Sequence, residues 1–139
     1  MTVSATFNEE SDLKSYTNNH VFHSPFLSLE NPSNPKVLII LNRPIQSPPS
    51  EIFLKLWSIC SFRVCADGGA NRLYDASKSN QELDVLVPDM IQGDLDSVRE
   101  DTRTYYTNRG VSIQRDACQN KHDLDKTLIA ILANFSSKD

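Results

Sequence analysis

Short β-prone apolar runs alternate along this chain with segments of helical periodicity. The pattern predicts an α/β protein with an open, mostly parallel sheet of about four strands and flanking helices. Three observations carry that expectation. Val37-Leu38-Ile39-Ile40-Leu41 is a continuous apolar run, as expected of a parallel strand covered on both faces. Phe62–Ala66 and Met90–Gly93 are further strand-like runs, each ending in Gly and Asp. Between the runs, apolar residues recur three and four positions apart, and that spacing puts them on one side of a helix.

The elements follow in order. After the first strand, Pro44, Pro48 and Pro49 punctuate a loop. Phe53, Leu56, Trp57 and Cys60 then form one helical face. The second strand, Phe62–Ala66, ends at Asp67-Gly68-Gly69-Ala70-Asn71, and a short helix through Leu73 and Tyr74 follows. Leu83–Val87 is apolar but stops at Pro88. The third strand, Met90–Gly93, leads into Asp94-Leu95-Asp96-Ser97. Ser97 and Glu100 have the spacing of a capping box for a helix with Val98, Thr102 and Tyr105 on one face. Gly110 is the residue expected just past that helix. Val111–Gln114 is the fourth strand. A polar loop from Asp116 to Lys121 leads to a last helix, expected to bury Leu124, Leu128, Ile131, Leu132 and Phe135. Right-handed crossovers would join the strands.

With 139 residues there is room for one domain. Residues 1–35 are rich in Ser, Asn and Pro and hold four acids against one lysine. They read as an N-terminal extension, disordered over its first part; residues 36–139 read as the α/β domain. The chain carries 14 basic and 18 acidic residues, a net charge of −4, which argues against a nucleic-acid face. No apolar run approaches the length of a membrane span. Three cysteines, at 60, 65 and 118, make neither a zinc set nor a disulfide framework. No basic segment followed by an apolar one opens the chain, so a cytoplasmic location is expected.

In open α/β sheets ligands bind beyond the carboxyl ends of the strands. That rule selects Asp67, Gly68, Gly69 and Asn71 after the second strand, Asp94 and Asp96 after the third, and Gln119 and Asp123 after the fourth. Lys126 lies one turn into the last helix. Like charges gathered at one rim call for a cation between them, and a hard divalent ion such as Mg2+ suits oxygen ligands and phosphates. Gly68 and Gly69 suit an anion at a helix start. Each piece also has a plainer reading. Asp-Gly-Gly fits a turn with Asp as helix cap, and Asp123 fits an N-cap with Lys126 as its solvated partner. Asp94-Leu95-Asp96 fits turn plus cap, although Ser97 as the cap leaves the second Asp unexplained. The metal reading is preferred there.

These residues resemble the thiamin pyrophosphokinase (thiamin diphosphokinase) family, in the style of its eukaryotic, fungal members. The likeness lies in Cys65-Ala66-Asp67-Gly68-Gly69-Ala70-Asn71-Arg72-Leu73-Tyr74-Asp75, in Gln92-Gly93-Asp94-Leu95-Asp96-Ser97 with Pro88 upstream, and in Leu38-Ile39-Ile40-Leu41-Asn42-Arg43-Pro44. It covers about residues 36–135. The resemblance implies an α/β catalytic domain followed by a β-sandwich, a homodimer when full length, and transfer of a pyrophosphoryl group from ATP to thiamin, giving thiamin diphosphate and AMP. By the same carry-over, Asp67, Asp94, Asp96, Asp123 and Lys126 would be catalytic. Asp94, Asp96 and Asp123 would hold Mg2+, and Gly68, Gly69, Asn71 and Gln119 would bind the nucleotide. Family members often read T-D-F-T-K where this chain has His122-Asp123-Leu124-Asp125-Lys126, so Asp125 adds a charge beside the site. The family's glycine-rich G-G-x-G-G-R segment and its thiamin-binding sandwich are missing from these 139 residues. Weak or no turnover is expected from them alone. Two alternatives stay open: a metal-dependent nucleotide-sugar glycosyltransferase, whose D-x-D loop grips a diphosphate, and an inactive nucleotide-binding fragment.

Overall fold

The computed structural model describes residues 35–78 and 86–137. The expected extension up to residue 34 and the run's first residues, 83–85, lie outside the described residues. The elements are β1 (Val37–Ile40), α1 (Glu51–Ile59), β2 (Phe62–Ala66), α2 (Gly69–Lys78), β3 (Met90–Gly93), α3 (Glu100–Asn108), β4 (Ser112–Arg115) and α4 (Asp123–Ser136). The sheet is parallel throughout, in the order β1-β2-β3-β4.

Strand alternation divides the core in two. Ile40, Cys65 and Ile91 are aligned across the ladder and pack with Ala70, Leu73 and Tyr106 of α2 and α3. The intervening residues, Val64 and Met90, point to the other face and meet Ile131 of α4. Right-handed crossovers in a sheet of sequential strand order keep the connecting helices on one face. α4 closes the opposite face over β2 and β3. Both faces are therefore covered at β2 and β3, as in parallel sheets generally, whereas β4 at the edge, Ser-Ile-Gln-Arg, is largely exposed.

Local chemistry explains most boundaries. Ser50 caps α1, its hydroxyl accepting from the Phe53 amide at 3.3 Å. Phe53 and Trp57 pack on the first core, and Cys60 is 1% exposed just past the helix. At the end of α3, the Gly110 amide donates to Thr107 O and the Val111 amide to Tyr106 O, with Gly110 at φ +76°. This is a Schellman cap. It consumes the Val111 amide, so β4 begins at Ser112, one residue later than expected.

Two expectations are corrected. Ser97 does not cap α3: the N-cap is Arg99, with no side-chain cap bond, and the helix starts at Glu100. The Ser97 carbonyl is taken instead by the Asn71 amide at 2.6 Å. In α4 the buried residues are Lys126, Thr127 and Ile131, whereas Leu124, Leu128 and Leu132 are 42%, 44% and 67% exposed. Phe135 does turn inward, edge-on to Phe62. The helix is rotated by about one residue from its most apolar face. The Thr127 hydroxyl, donating to Asp123 O at 2.7 Å and lying 3.4 Å from Gln92 Oε1, marks the ridge that faces the sheet.

Candidate functional site

The carboxyl ends of β2 and β3 and the start of α4 meet at one rim. Asp67, the first residue beyond β2, is 4% exposed and takes φ +43°, a left-handed conformation that Asp tolerates better than most residues. Its amide donates to Gln92 O at 2.8 Å, which continues the ladder one residue past the strand. Gly93 makes this packing possible, because a Cβ there would lie 2.9 Å from the Asp67 Cβ. At Gly68 a Cβ would strike the Asn42 side chain, and at Gly69 the Ile40 carbonyl. Both glycines therefore let the start of α2 press against the end of β1.

Beyond β3 the chain turns sharply. Asp94 Oδ1 accepts from the Asp96 amide at 2.9 Å, and Leu95 takes φ +69°. A left-handed leucine is strained, and such backbone strain concentrates at functional turns. The turn separates the two acids that an extended D-x-D would keep together. Asp67, Asp94 and Asp123 each offer a carboxylate oxygen, and the three atoms lie within 4.8 Å of one another. Asp96 is exposed and stands outside this group. Asp67, predicted as catalytic but not as a ligand, takes the place in the cluster expected for Asp96.

The electrostatics suit a cation. Burial pushes the Asp67 carboxyl above the usual carboxylate range. Ser97, turned toward it, opposes the shift, and the neighbouring Asp94 and Asp123 reinforce it. Asp67 Oδ1 is buried with no hydrogen-bond partner among the described residues. Unpaired buried carboxylate oxygens are costly and call for a partner of opposite charge. Among the described residues no other group of three or more such ligands gathers in this way.

The remaining predicted residues lie outside this carboxylate group. Lys126 is 3% exposed in the first turn of α4, three residues after Asp123. Gln119 is exposed on the loop before that helix. Asn71 spends its amide on protein, donating to Ser97 O and accepting from the Arg99 amide. Arg72 donates to Asn42 Oδ1 at 2.9 Å. His122 is the exposed N-cap of α4 without a side-chain cap bond, and Asp125 is exposed beyond the carboxylate group. Gln92, Gly93 and Ser97 belong to a motif that carries the family resemblance, but no role at the site was expected of them. A glycine closing a strand is itself a signal of close backbone approach; the contacts of Ser97 and Gln92 were not legible, because their partners are distant in sequence.

Comparison with known proteins places this geometry. The sequence model described as thiamin pyrophosphokinase, catalytic domain, matches residues 53–138, over half of the chain. Thiamine pyrophosphokinase of Saccharomyces cerevisiae (strain ATCC 204508 / S288c) is 38% identical over 103 residues, 73% of this chain and 32% of that protein. The crystal structure of yeast thiamin pyrophosphokinase superposes with a TM-score of 0.70 at 36% identity, covering 78% of this chain and 34% of that one. Thiamin pyrophosphokinase from Candida albicans gives 0.65 at 36% identity, over 79% and 34%. The chain thus spans about a third of the length of the relatives it matches.

Proposed function

The chain belongs to the thiamin pyrophosphokinase family, within its catalytic domain, and on that premise we propose that it binds ATP with a divalent cation at Asp67, Asp94 and Asp123 and serves pyrophosphoryl transfer to thiamin. The observation that carries this reading is the meeting of three carboxylates from three separate segments, one of them with a buried oxygen that has no partner among the described residues. Hard oxygen donors of this kind match Mg2+. When bound, the ion supplies positive charge between the acids and the phosphate oxygens of ATP.

The chain's own residues do the rest. Asp67, Asp94 and Asp123 would hold the ion. The Gly68 and Gly69 amides at the start of α2 would offer donors to a phosphate, as helix N-termini do, the Ala70 and Asn71 amides being bonded to Asp67 O and Gly68 O. Lys126 would offset charge on the transferred group, and Gln119 would contact the nucleotide from its loop. With AMP as the leaving group, the thiamin hydroxyl attacks the β-phosphorus and gives its proton to a base, for which Asp67, Asp96 and Asp123 are the candidates. Positioning and charge neutralisation supply most of the rate in such reactions. The homodimer implied by the family resemblance is part of the same proposal. A nucleotide-sugar transferase is not favoured, because such a site uses both acids of its D-x-D and here Asp96 stands apart.

Calorimetric titration tests this reading. ATP is expected to bind only with Mg2+ present, a UDP-sugar not to bind, and Asp94→Asn to weaken ATP binding at least tenfold, about the loss of one charged hydrogen-bonding partner. Equal ATP binding in EDTA, or by the Asp94→Asn variant, would overturn it. Thiamin-dependent AMP release from these 139 residues is expected to be weak.

A further inference from the structure

We infer that Asn71 is a positioning residue, whose side-chain amide fixes the 94–99 loop and so delivers Asp94 to Asp67; in its bearing on metal the inference rests on the reading above. Asn71 lies in the first turn of α2, four residues after Asp67. Its Nδ2 donates to Ser97 O at 2.6 Å and its Oδ1 accepts from the Arg99 amide at 3.0 Å. One side chain thus grips both sides of Val98, 26 and 28 residues away in sequence. The grip falls where the loop needs it. The loop carries a strained left-handed Leu95, and the helix it leads into has as its N-cap Arg99, whose side chain makes no cap hydrogen bond and pairs instead with Asp75 and Asp101. The Asn71 carboxamide holds the N-cap residue from a different element, by accepting its backbone amide. Within the loop, the Asp96 amide bonds back to Asp94 Oδ1 and the Val98 amide to Leu95 O at 3.3 Å, so holding residues 97–99 holds the turn that aims Asp94. Asp67 and Asn71 stand on one rigid helical start, and the bond therefore ties two of the three carboxylates together. Both ends of the amide are needed: a carboxylate would keep the acceptor for Arg99 but present a second acceptor to the Ser97 carbonyl.

Amide hydrogen exchange and Mn2+ titration on the full 139-residue chain test the assignment. In Asn71→Ala the amides of Asp96, Val98 and Arg99 are expected to exchange about tenfold faster, while those of β2 and β3 stay as in the wild type. Alanine is the better helix former, so α2 itself is not weakened. Mn2+ affinity is expected to fall by about tenfold, the cost of a looser ligand set. In Asn71→Asp, a second variant should Asn71→Ala not fold, Arg99 is expected to keep its protection while Asp96 and Val98 lose theirs. Exchange at residues 96 and 98 within twofold of the wild type in a folded variant would overturn the inference. A wild-type chain that binds no Mn2+ would overturn the metal reading instead, and the exchange data would still decide Asn71.

Discussion

Asp67 is a group whose local cost points to its use. It is buried, it sits in a left-handed conformation, and one of its oxygens has no partner among the described residues. Its pKa is raised by burial and by its acidic neighbours, so the folded chain holds that proton more tightly than the unfolded one. Stability is then greatest below the ordinary carboxylate pKa, and it declines as pH rises through the raised value of the folded state. Asp67→Asn removes that decline. In EDTA, the variant is expected to be more stable than the wild type at pH 7–8 by on the order of 1 kcal/mol, with the gain vanishing below about pH 4. Thermal melts across pH measure this, and a gain that is the same at all pH values would contradict it. Asp67, Asp94 and Asp123 could all be singled out from sequence because each follows a strand or opens a helix. Asp96 could not be set apart from them, because the left-handed turn at Leu95 that removes it is a backbone choice no residue type there announces.

At the scale of elements, the apolar pattern located every described strand and helix but misread the inner face of two: in α3, Val98 precedes the helix and Tyr106 is buried beside Thr102, and the larger error is in α4. The Leu124, Leu128 and Leu132 ridge looked like its inner face and is its outer one. Helix orientation is set by the sum of contacts, and here Asp123 must reach the carboxylate cluster while Thr127 and Ile131 face the sheet. Two substitutions separate the faces. Ile131→Ala is expected to cost about 2–4 kcal/mol, and Leu132→Ala no more than about 0.5 kcal/mol. Denaturant unfolding compares them, and equal costs would mean that the helix sits in the rotation its leucines suggest. The capping box failed for a related reason. Ser97-x-x-Glu100 has the right spacing, but the Asn71 amide and the Asp67 carboxylate compete for Ser97 from across the sheet edge.

Across the whole molecule, the three carboxylates belong to residues 67, 94 and 123, and only the folded sheet brings them within reach of one ion. An ion held there would therefore link binding to folding. The melting temperature is expected to rise steadily with the logarithm of Mn2+ concentration, gaining about 2.7 kcal/mol at a hundred times the dissociation constant. Asp94→Asn is expected to abolish most of that gain. A melting temperature indifferent to Mn2+ in the wild type would mean that the cluster does not act as one site.

Composition, apolar periodicity and two acidic motifs were enough to specify a parallel α/β sheet, its strand boundaries to within a residue and the rim where acids collect. Those features arise from residues near one another in sequence, through hydrogen bonding and hydrophobic alternation that act over a few positions. Which acids form the cluster, which side of α4 faces inward and what holds the 94–99 loop were decided by tertiary structure. Each of these depends on groups such as Asn71, Ser97 and Gln92 meeting partners some twenty-five or more residues away. A pairing of that kind is chosen by the packing of the finished sheet, and no local stretch of sequence encodes it.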